Sequence, residues 1–599
     1  MSTARPGRAR TAYDWLTRHA TSRPSATAVT AWRDGAIRET IDYAGLTALV
    51  ERAAAALAAQ APDAGDRVVL ALPNDHTFTA ALLACAAAGL IAVPAPPLTA
   101  DAHPAALARL RGIVEDCRPA LVLSRAGQAR DGDTAAIAGL RRVVAWDDLI
   151  ASAGVPSGPP RPARQCAVAL LQYTSGSTGA PKGAVITHRA LRASCAQAAR
   201  IYGESPHDTS VTWVPLHHDM GLVTGVLRPL FSGYASVLLH PREFARSPLS
   251  WLRALTAVRG SMSSAPDFAY ALCVRRVSAE QVRQLDLTAW RIARNAGEVV
   301  RADTAERFAA HFAPAGFRPD AFCPSYGMAE ATLTVTTGTP DDPALRLAVD
   351  RAALQAGQVV PSTEAGGSRS VLLSSGRPLP GTQVEISDHE GRTGRHAVVG
   401  RIRIRGPQMF SGYWPSAASR AGTADAAHDR DAVEDWHSTG DLGFVHRGHL
   451  FVLGRGDDTV VQNGRNFYAA DIRAVCAGIP GVRPGRCVAF TTGGLGSDAP
   501  GTARVCLVTE VDASAAVRAS LAQEIRGRLA VELELFVHDV ELLGPGQLSL
   551  TTSGKPQVSE TRNRRESRAS GVRDTCGRPT GIADGTPPGP GPPGPTSKE

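Results

Sequence analysis

Leu170-Leu-Gln-Tyr-Thr-Ser-Gly-Ser-Thr-Gly-Ala-Pro-Lys-Gly183 carries an apolar strand directly into a turn of hydroxyl residues and glycines closed by Pro-Lys-Gly. Gly176 and Gly179 let main-chain N–H groups converge without Cβ obstruction. Thr174, Ser175, Ser177 and Thr178 add hydroxyl donors, and Lys182 adds fixed positive charge. A concave array of donors after a strand is a nest for an extended oxyanion such as a triphosphate. The order differs from a G-x-x-x-x-G-K-S/T loop, because here the hydroxyl residues precede the lysine. A flexible Gly/Ser linker is the bland alternative, and the flanking strand and the Pro-Lys-Gly closure argue against it.

Outward from this turn, the chain alternates strand-like and helix-like segments. Arg67-Val-Val-Leu-Ala-Leu reads as a buried strand, and Asn74-Asp75 opens a helical stretch to about Gly89. Leu90-Ile-Ala-Val is a second strand, Pro104 to Cys117 a helix, Ala120-Leu-Val-Leu-Ser a third strand, and Ala235-Ser-Val-Leu-Leu continues the rhythm. This β-α-β order predicts largely parallel sheets covered by helices. After about Gly376 the pattern becomes short alternating strands: Gln383-Val-Glu-Ile, Gly400-Arg-Ile-Arg-Ile-Arg and His449-Leu-Phe-Val-Leu. These predict an antiparallel β subdomain. A polar break at Gly454-Arg-Gly-Asp-Asp458 divides the α/β chain into a large N-terminal domain, 1–455, and a small mobile α+β domain, 456–565. A Pro/Gly-rich stretch from 566 to 599 lacks the apolar periodicity needed for a core and is expected to be disordered.

A chain of 599 residues needs more than one core. Its formal net charge of +8 comes without a recognition module or long Lys/Arg block, so nucleic acid is not an expected partner. Ten cysteines lie scattered with no C-x-x-C pair, which points to free thiols in a reduced, cytoplasmic setting. The most apolar stretch, Ala80 to Val93, is shorter than the ~20 residues a membrane span requires. No apolar segment follows Arg5, Arg8 and Arg10, so no secretory signal is read there.

Further motifs follow in order along the chain: Trp213-Val-Pro-Leu-His-His-Asp-Met-Gly-Leu222, Asn295-Ala-Gly-Glu298, Ser325-Tyr-Gly-Met-Ala-Glu-Ala-Thr332, His437-Ser-Thr-Gly-Asp-Leu-Gly443 and Leu550-Thr-Thr-Ser-Gly-Lys-Pro556. With the turn at 174–182, this series resembles the adenylate-forming superfamily: acyl-CoA synthetases, luciferases, adenylation domains and fatty acyl-AMP ligases. The resemblance covers nearly the whole chain apart from the tail and the first dozen residues. It implies that Thr174, Ser175, Gly176, Ser177, Thr178, Gly179 and Lys182 hold ATP phosphates. It places His218 at the acyl site and Glu330 on Mg2+. Asn295, Ala296, Gly297, Tyr326 and Gly327 fall at the adenine, and Asp441 and Arg455 at the ribose. Asp458 falls at a hinge, and Lys555 becomes the catalytic lysine that neutralises charge as a carboxylate meets the α-phosphate.

Three departures stand out. Asp457 takes the place of a usual lysine, Pro556 that of a usual apolar residue, and Ala296-Gly297 reverses the usual Gly-Ala order. The reversal moves a methyl group towards the base and is expected to weaken nucleotide affinity.

Val93-Pro-Ala-Pro-Pro97 with Arg109–Leu123, Ala265-Pro-Asp-Phe-Ala-Tyr-Ala-Leu-Cys-Val-Arg-Arg276 and Gly464-Arg-Asn-Phe-Tyr468 look closest to fatty acyl-AMP ligases. So does an insertion-like segment, 333–375, which in those enzymes impedes the conformation that makes CoA thioesters. The resemblance implies ATP- and Mg2+-dependent conversion of a fatty acid to acyl-adenylate, with pyrophosphate released. The acyl group then passes to the phosphopantetheine of an acyl carrier protein, or of a carrier domain in a polyketide or peptide synthase. The rival readings are a fatty acyl-CoA synthetase and a nucleotide-binding pseudoenzyme.

Overall fold

The computed structural model describes residues 11–61, 63–99, 104–125, 137, 142–153, 167–175, 181–362, 369–388, 391–393, 397–415, 435–492, 504–550 and 555–569. A six-stranded sheet runs in the order Val143–Ala145, Leu121–Ser124, Arg67–Leu70, Ile91–Pro94, Val168–Ser175, Pro181–Thr187. Every neighbouring pair is parallel except the last, an antiparallel hairpin. The connecting helix His76–Ala88 starts where sequence chemistry places it: Asp75 accepts from Thr77 N, and Gly89 closes the helix in the left-handed region.

A nine-stranded sheet has a parallel centre of Phe322–Gly327, Ile292–Asn295, Met262–Ala265, Thr209–Thr212, Ala235–Leu239 and Thr27–Arg33, in that spatial order. The four strands from Thr209–Thr212 to Phe322–Gly327 end side by side. Ligands collect outside the carboxyl ends of such strands, and three of the sequence motifs begin at these ends. Gln383–Ser387, Gly400–Arg405, His437–His446 and His449–Arg455 form the expected antiparallel sheet. Its register sets Asp441 opposite Arg455.

After the short 3-10 turn Gly456–Asp458, residues 460–537 close a separate apolar core that includes Ile472, Val475, Leu507, Ile525 and Leu529. Its sheet is Val482–Thr492, Arg504–Val511 and Asp539–Leu543. The helix Val558–Ala569 runs past the tail boundary expected at 566 and corrects it. This helix is anchored by buried Val558, by an ion pair of Arg565 with Glu541 at 3.1 Å, and by Arg562 over the Phe490 ring at 5.5 Å. Residues 570–599 fall outside the described residues.

The segment 333–375 builds a hairpin of Arg346–Asp350 and Arg369–Leu373 with the helix Arg351–Gln355 between them. Val349 and Leu354 share an apolar cluster with Phe444, Phe451 and Tyr468, so the hairpin packs against the β subdomain and the start of the C-terminal unit together. Gln355, buried to 4% exposure, accepts from Arg465 Nε at 3.0 Å and donates to the Leu533 carbonyl at 3.4 Å, and its own carbonyl accepts from Asn466 Nδ2 at 3.1 Å. Tyr468 donates to the Leu354 carbonyl at 3.2 Å, and Arg351 bonds the Glu532 carbonyl. Two segments that sequence alone marks out, 333–375 and Gly464–Tyr468, are thereby one contact.

Candidate active site

The hairpin register sets Thr174 opposite Lys182 and Ser175 opposite Pro181, so the two flanks of the phosphate-loop segment are paired antiparallel strands. Gly176, Ser177, Thr178 and Gly179 lie outside the described residues. Beside this hairpin runs Ser411-Gly-Tyr-Trp414: Val185 N donates to the Gly412 carbonyl at 2.9 Å, and Trp414 N to the Gly183 carbonyl at 2.7 Å.

At the end of Thr209–Thr212 the chain turns through the two histidines. His217 is driven down to about 3 by burial and by its neighbours His218 and Arg109, so it is neutral. His218 Nδ1 lies 2.6 Å from Asp219 Oδ1. Burial alone would raise Asp219, but His218, Met220 N and Lys555 outweigh it and hold the carboxyl below its usual value.

The next strand ends place Asp267 and Asn295 together. Asn295 Nδ2 donates to Asp267 Oδ1 at 2.7 Å, while Thr304 Oγ1 and Arg301 N donate to the same carboxylate. Burial first, and the Glu298 carboxylate second, push Asp267 up to about 7. Ala296 follows, buried, and then Gly297 at φ +88°. A Cβ on Gly297 would come 3.2 Å from Met220 Cε and 3.9 Å from Lys555 Nζ. The Ala-Gly order therefore suits the backbone, since glycine occupies the left-handed position where the lysine approaches.

Phe322–Gly327 delivers Tyr326, whose hydroxyl donates to Asp441 Oδ2 at 2.5 Å. Gly327 is required by close approach, since a Cβ there would stand 1.7 Å from the Leu333 carbonyl oxygen. The turn this closes carries Glu330, buried to 6% exposure. Glu330 Oε1 accepts from Tyr413 at 2.6 Å, and among the described residues its second oxygen has no hydrogen-bond partner. A buried carboxylate with an open oxygen suits a hard divalent cation.

The Asp441 N–H donates to Thr439 Oγ1, and Arg455 Nη1 lies 3.6 Å from Asp441 Oδ1 and donates to the Thr439 carbonyl at 3.1 Å. Burial raises Asp441, against the opposing pull of Arg455, Tyr326 and Lys555. Asp458 is raised by burial, with Arg473 and Arg455 opposing, and Asp457 adds negative charge beside it.

Lys555 comes from the C-terminal part of the chain. Leu550 pairs with Pro556, and Gln557 N donates to the Ser549 carbonyl at 2.9 Å, which fixes the backbone next to Lys555. Its charge acts on Asp219 and Asp441 together, and its Nζ stands beside Gly297. Contacts and the charge of Lys555 thus link His218 with Asp219, Gly297, Tyr326, Asp441 and Arg455, and Asn295 and Ala296 lead into Gly297. Glu330 and Lys182 meet through Tyr413, a residue sequence reasoning missed, as it missed Asp267. An aromatic in Gly-Tyr-Trp looks like ordinary packing until the strand pairing is seen.

A hairpin bearing Thr174 and Lys182, acid- and amide-bearing ends of parallel strands and a lysine from the C-terminal unit are an arrangement suited to a nucleotide-handling α/β enzyme. Residues 16–414 match the family described as AMP-binding enzyme, and the chain belongs to that family. It is 34% identical over 512 residues to the medium-chain-fatty-acid–acyl-carrier-protein ligase JamA of Moorena producens (strain JHB), covering 84% of this chain and 86% of that protein. It is 32% identical over 516 residues to the long-chain-fatty-acid–AMP ligase FadD26 of Mycobacterium marinum (strain ATCC BAA-535 / M), covering 82% and 85%. A solved structure from a study of fatty acyl-adenylate ligases of E. coli and L. pneumophila superposes with a TM-score of 0.82 at 30% identity, covering 95% of this chain and 100% of that one.

Proposed function

We propose that this chain activates a fatty acid as its acyl-adenylate and hands the acyl group to a carrier-protein phosphopantetheine. The observation that carries the reading is Lys555 Nζ beside Gly297, with Asp219 and Asp441 in its field. A substrate carboxylate oxygen attacks the α-phosphorus of ATP, an O–P bond forms, and the bond to the bridging oxygen of pyrophosphate breaks. Two anionic groups, the carboxylate and the α-phosphate, are brought together, and Lys555 is placed to offset their repulsion. Asp441 and Arg455 hold the ribose, the wall from Asn295 to Gly297 with Tyr326 receives the adenine, and His218 faces the acid. Thr174, Lys182 and the residues between them bind the phosphates. Glu330 would hold Mg2+, which neutralises triphosphate charge when bound. Orientation and electrostatics carry the rate, with no covalent enzyme intermediate.

The hairpin 346–373 supports a product that stops at adenylate. Its Gln355 contacts Arg465, Asn466 and Leu533, and these bonds have to break for the C-terminal unit to rotate away. The hinge role belongs to Asp458, and the carrier partner follows from the likeness to a carrier-protein ligase. Among the described residues no helix is long and apolar enough to cross a membrane, and we place the reaction in the cytoplasm. The test incubates the chain with ATP, Mg2+, a fatty acid and CoA. Acyl-AMP without acyl-CoA supports the reading; rapid thioester formation identifies an acyl-CoA synthetase; no product with any acid identifies a pseudoenzyme.

A further inference from the structure

Lys182 and Glu330 belong to opposite walls of the phosphate site and carry opposite charges. Left to themselves in a shared cleft, two such groups attract, and a direct ion pair would occupy both before a nucleotide arrived. The structure contains no such pair; Tyr413 stands where it would form. Its hydroxyl donates to Glu330 Oε1 at 2.6 Å, and Lys182 Nζ lies 5.8 Å from its ring centroid. That distance is within the ~6 Å at which a cation is attracted to an aromatic face.

The backbone around Tyr413 makes this placement rigid. Tyr413 pairs with Ala184 on the exit strand of the hairpin, Ser411 N donates to the Val185 carbonyl at 3.0 Å, and Phe410 N donates to the Glu330 carbonyl at 2.8 Å. The Gln408 carbonyl accepts from Thr332 Oγ1 at 2.7 Å, and the Phe410 ring meets the Tyr413 ring edge-on at 5.0 Å. Residues 408–414 therefore tie the Lys182 strand to the Glu330 turn, and Tyr413 is the side chain between them.

We propose that Tyr413 is a positioning residue that holds Glu330 and Lys182 apart, each open towards Mg2+·ATP. The proposal rests on the adenylation reading above. The hydroxyl steers one carboxylate oxygen and leaves the other for the cation; the ring holds the ammonium by a contact that phosphate oxygens readily replace. A salt bridge in the same place would satisfy both charges and would have to be broken on binding.

The test is calorimetric titration of the full chain. ATP is titrated at a series of Mg2+ concentrations, and AMP without metal is the control that does not reach Lys182 or Glu330. In Tyr413→Phe the ring stays and the hydroxyl is lost; the Mg2+ concentration for half-maximal ATP binding is expected to rise about tenfold, with AMP affinity and melting temperature unchanged. Tyr413→Leu loses both contacts, and ATP affinity is expected to fall further while AMP affinity again holds. An unchanged Mg2+ midpoint in both variants overturns the proposal, as does a parallel loss of AMP and ATP binding, which marks a merely structural role. If the unaltered chain binds no ATP, the adenylation reading itself fails, an outcome distinct from either.

Discussion

Arg465 Nε donates to Gln355 Oε1 at 3.0 Å, joining the C-terminal unit to the helix inserted after the Glu330 turn. Gln355 is buried and makes three further bonds across the same seam, whereas Arg465 keeps a second partner, Glu534, at 2.6 Å. Removing Gln355 loosens the seam without stranding the guanidinium. Lost hydrogen bonds of this kind contribute about 1 kcal/mol each. Gln355→Ala is therefore expected to leave acyl-AMP formation within about threefold while acyl-CoA becomes detectable when CoA is supplied, since a shift of about 1–2 kcal/mol moves a two-state balance roughly tenfold. Mass spectrometry of the products checks this; a variant that still makes no thioester assigns the block elsewhere.

Gly297 concerns the approach of Lys555. A Cβ at φ +88° costs about 1–2 kcal/mol in backbone strain, and here it would also press Met220. Gly297→Ala is expected to lower the adenylation rate by about tenfold or more. The double exchange Ala296→Gly/Gly297→Ala, which reverses the order of the two residues, is expected to be as impaired. Steady-state kinetics of both variants decides; recovery by the double exchange would mean that the backbone here adapts to sequence.

Asp267 gives a pH dependence. Its carboxyl rises from an ordinary 3.8 to about 7 through burial and the neighbouring Glu298. The folded chain thus keeps a proton that the unfolded chain releases, so this group favours folding below about pH 4 and loses that contribution as pH rises towards 7. Above that the effect is constant. Melting temperatures from pH 4 to 8 are expected to fall less steeply in Asp267→Asn than in the unaltered chain, because the amide keeps an acceptor for Asn295 and carries no proton equilibrium. Equal slopes would remove Asp267 as the source.

Arg228 and Glu204 form an ion pair with side-chain exposures of 3% and 0%. Ser232 donates to Glu204 at 2.8 Å, and Arg228 lies over the Tyr202 ring at 4.8 Å. Removing one partner of such a pair costs about 3–5 kcal/mol, because the other charge is left buried. Glu204→Ala is expected to be destabilised by that order in urea unfolding, and Glu204→Leu/Arg228→Met markedly less. Similar losses in the two would show that packing, not the stranded charge, carries the cost.

Much of this architecture was legible because it is written in local chemistry. Asp75 and Gly89 bracket a helix by capping alone, and the alternation in Gly400-Arg-Ile-Arg-Ile-Arg shows which face of that strand is buried. The rhythm before Ala235 indicated parallel sheets, but their spatial order depends on pairings between distant strands that no local pattern encodes. The role of Tyr413 was hidden for that reason: it becomes visible only when Ser411–Trp414 lies beside the Lys182 strand. The helix Val558–Ala569 was hidden differently, since Arg565 pairs with Glu541 and Asp539, and Arg562 lies over the Phe490 ring, on other elements. The Ala296-Gly297 order read as a deficit in sequence; the positive φ of Gly297 shows a backbone that calls for glycine at that place.

The central claim is that Lys555 offsets charge where an acid meets the α-phosphate. Fatty-acid-dependent exchange of labelled pyrophosphate into ATP measures that step alone. The expected result is exchange by the unaltered chain and a loss of about a hundredfold or more in Lys555→Ala, with AMP binding retained. Exchange undiminished by that substitution would contradict the account.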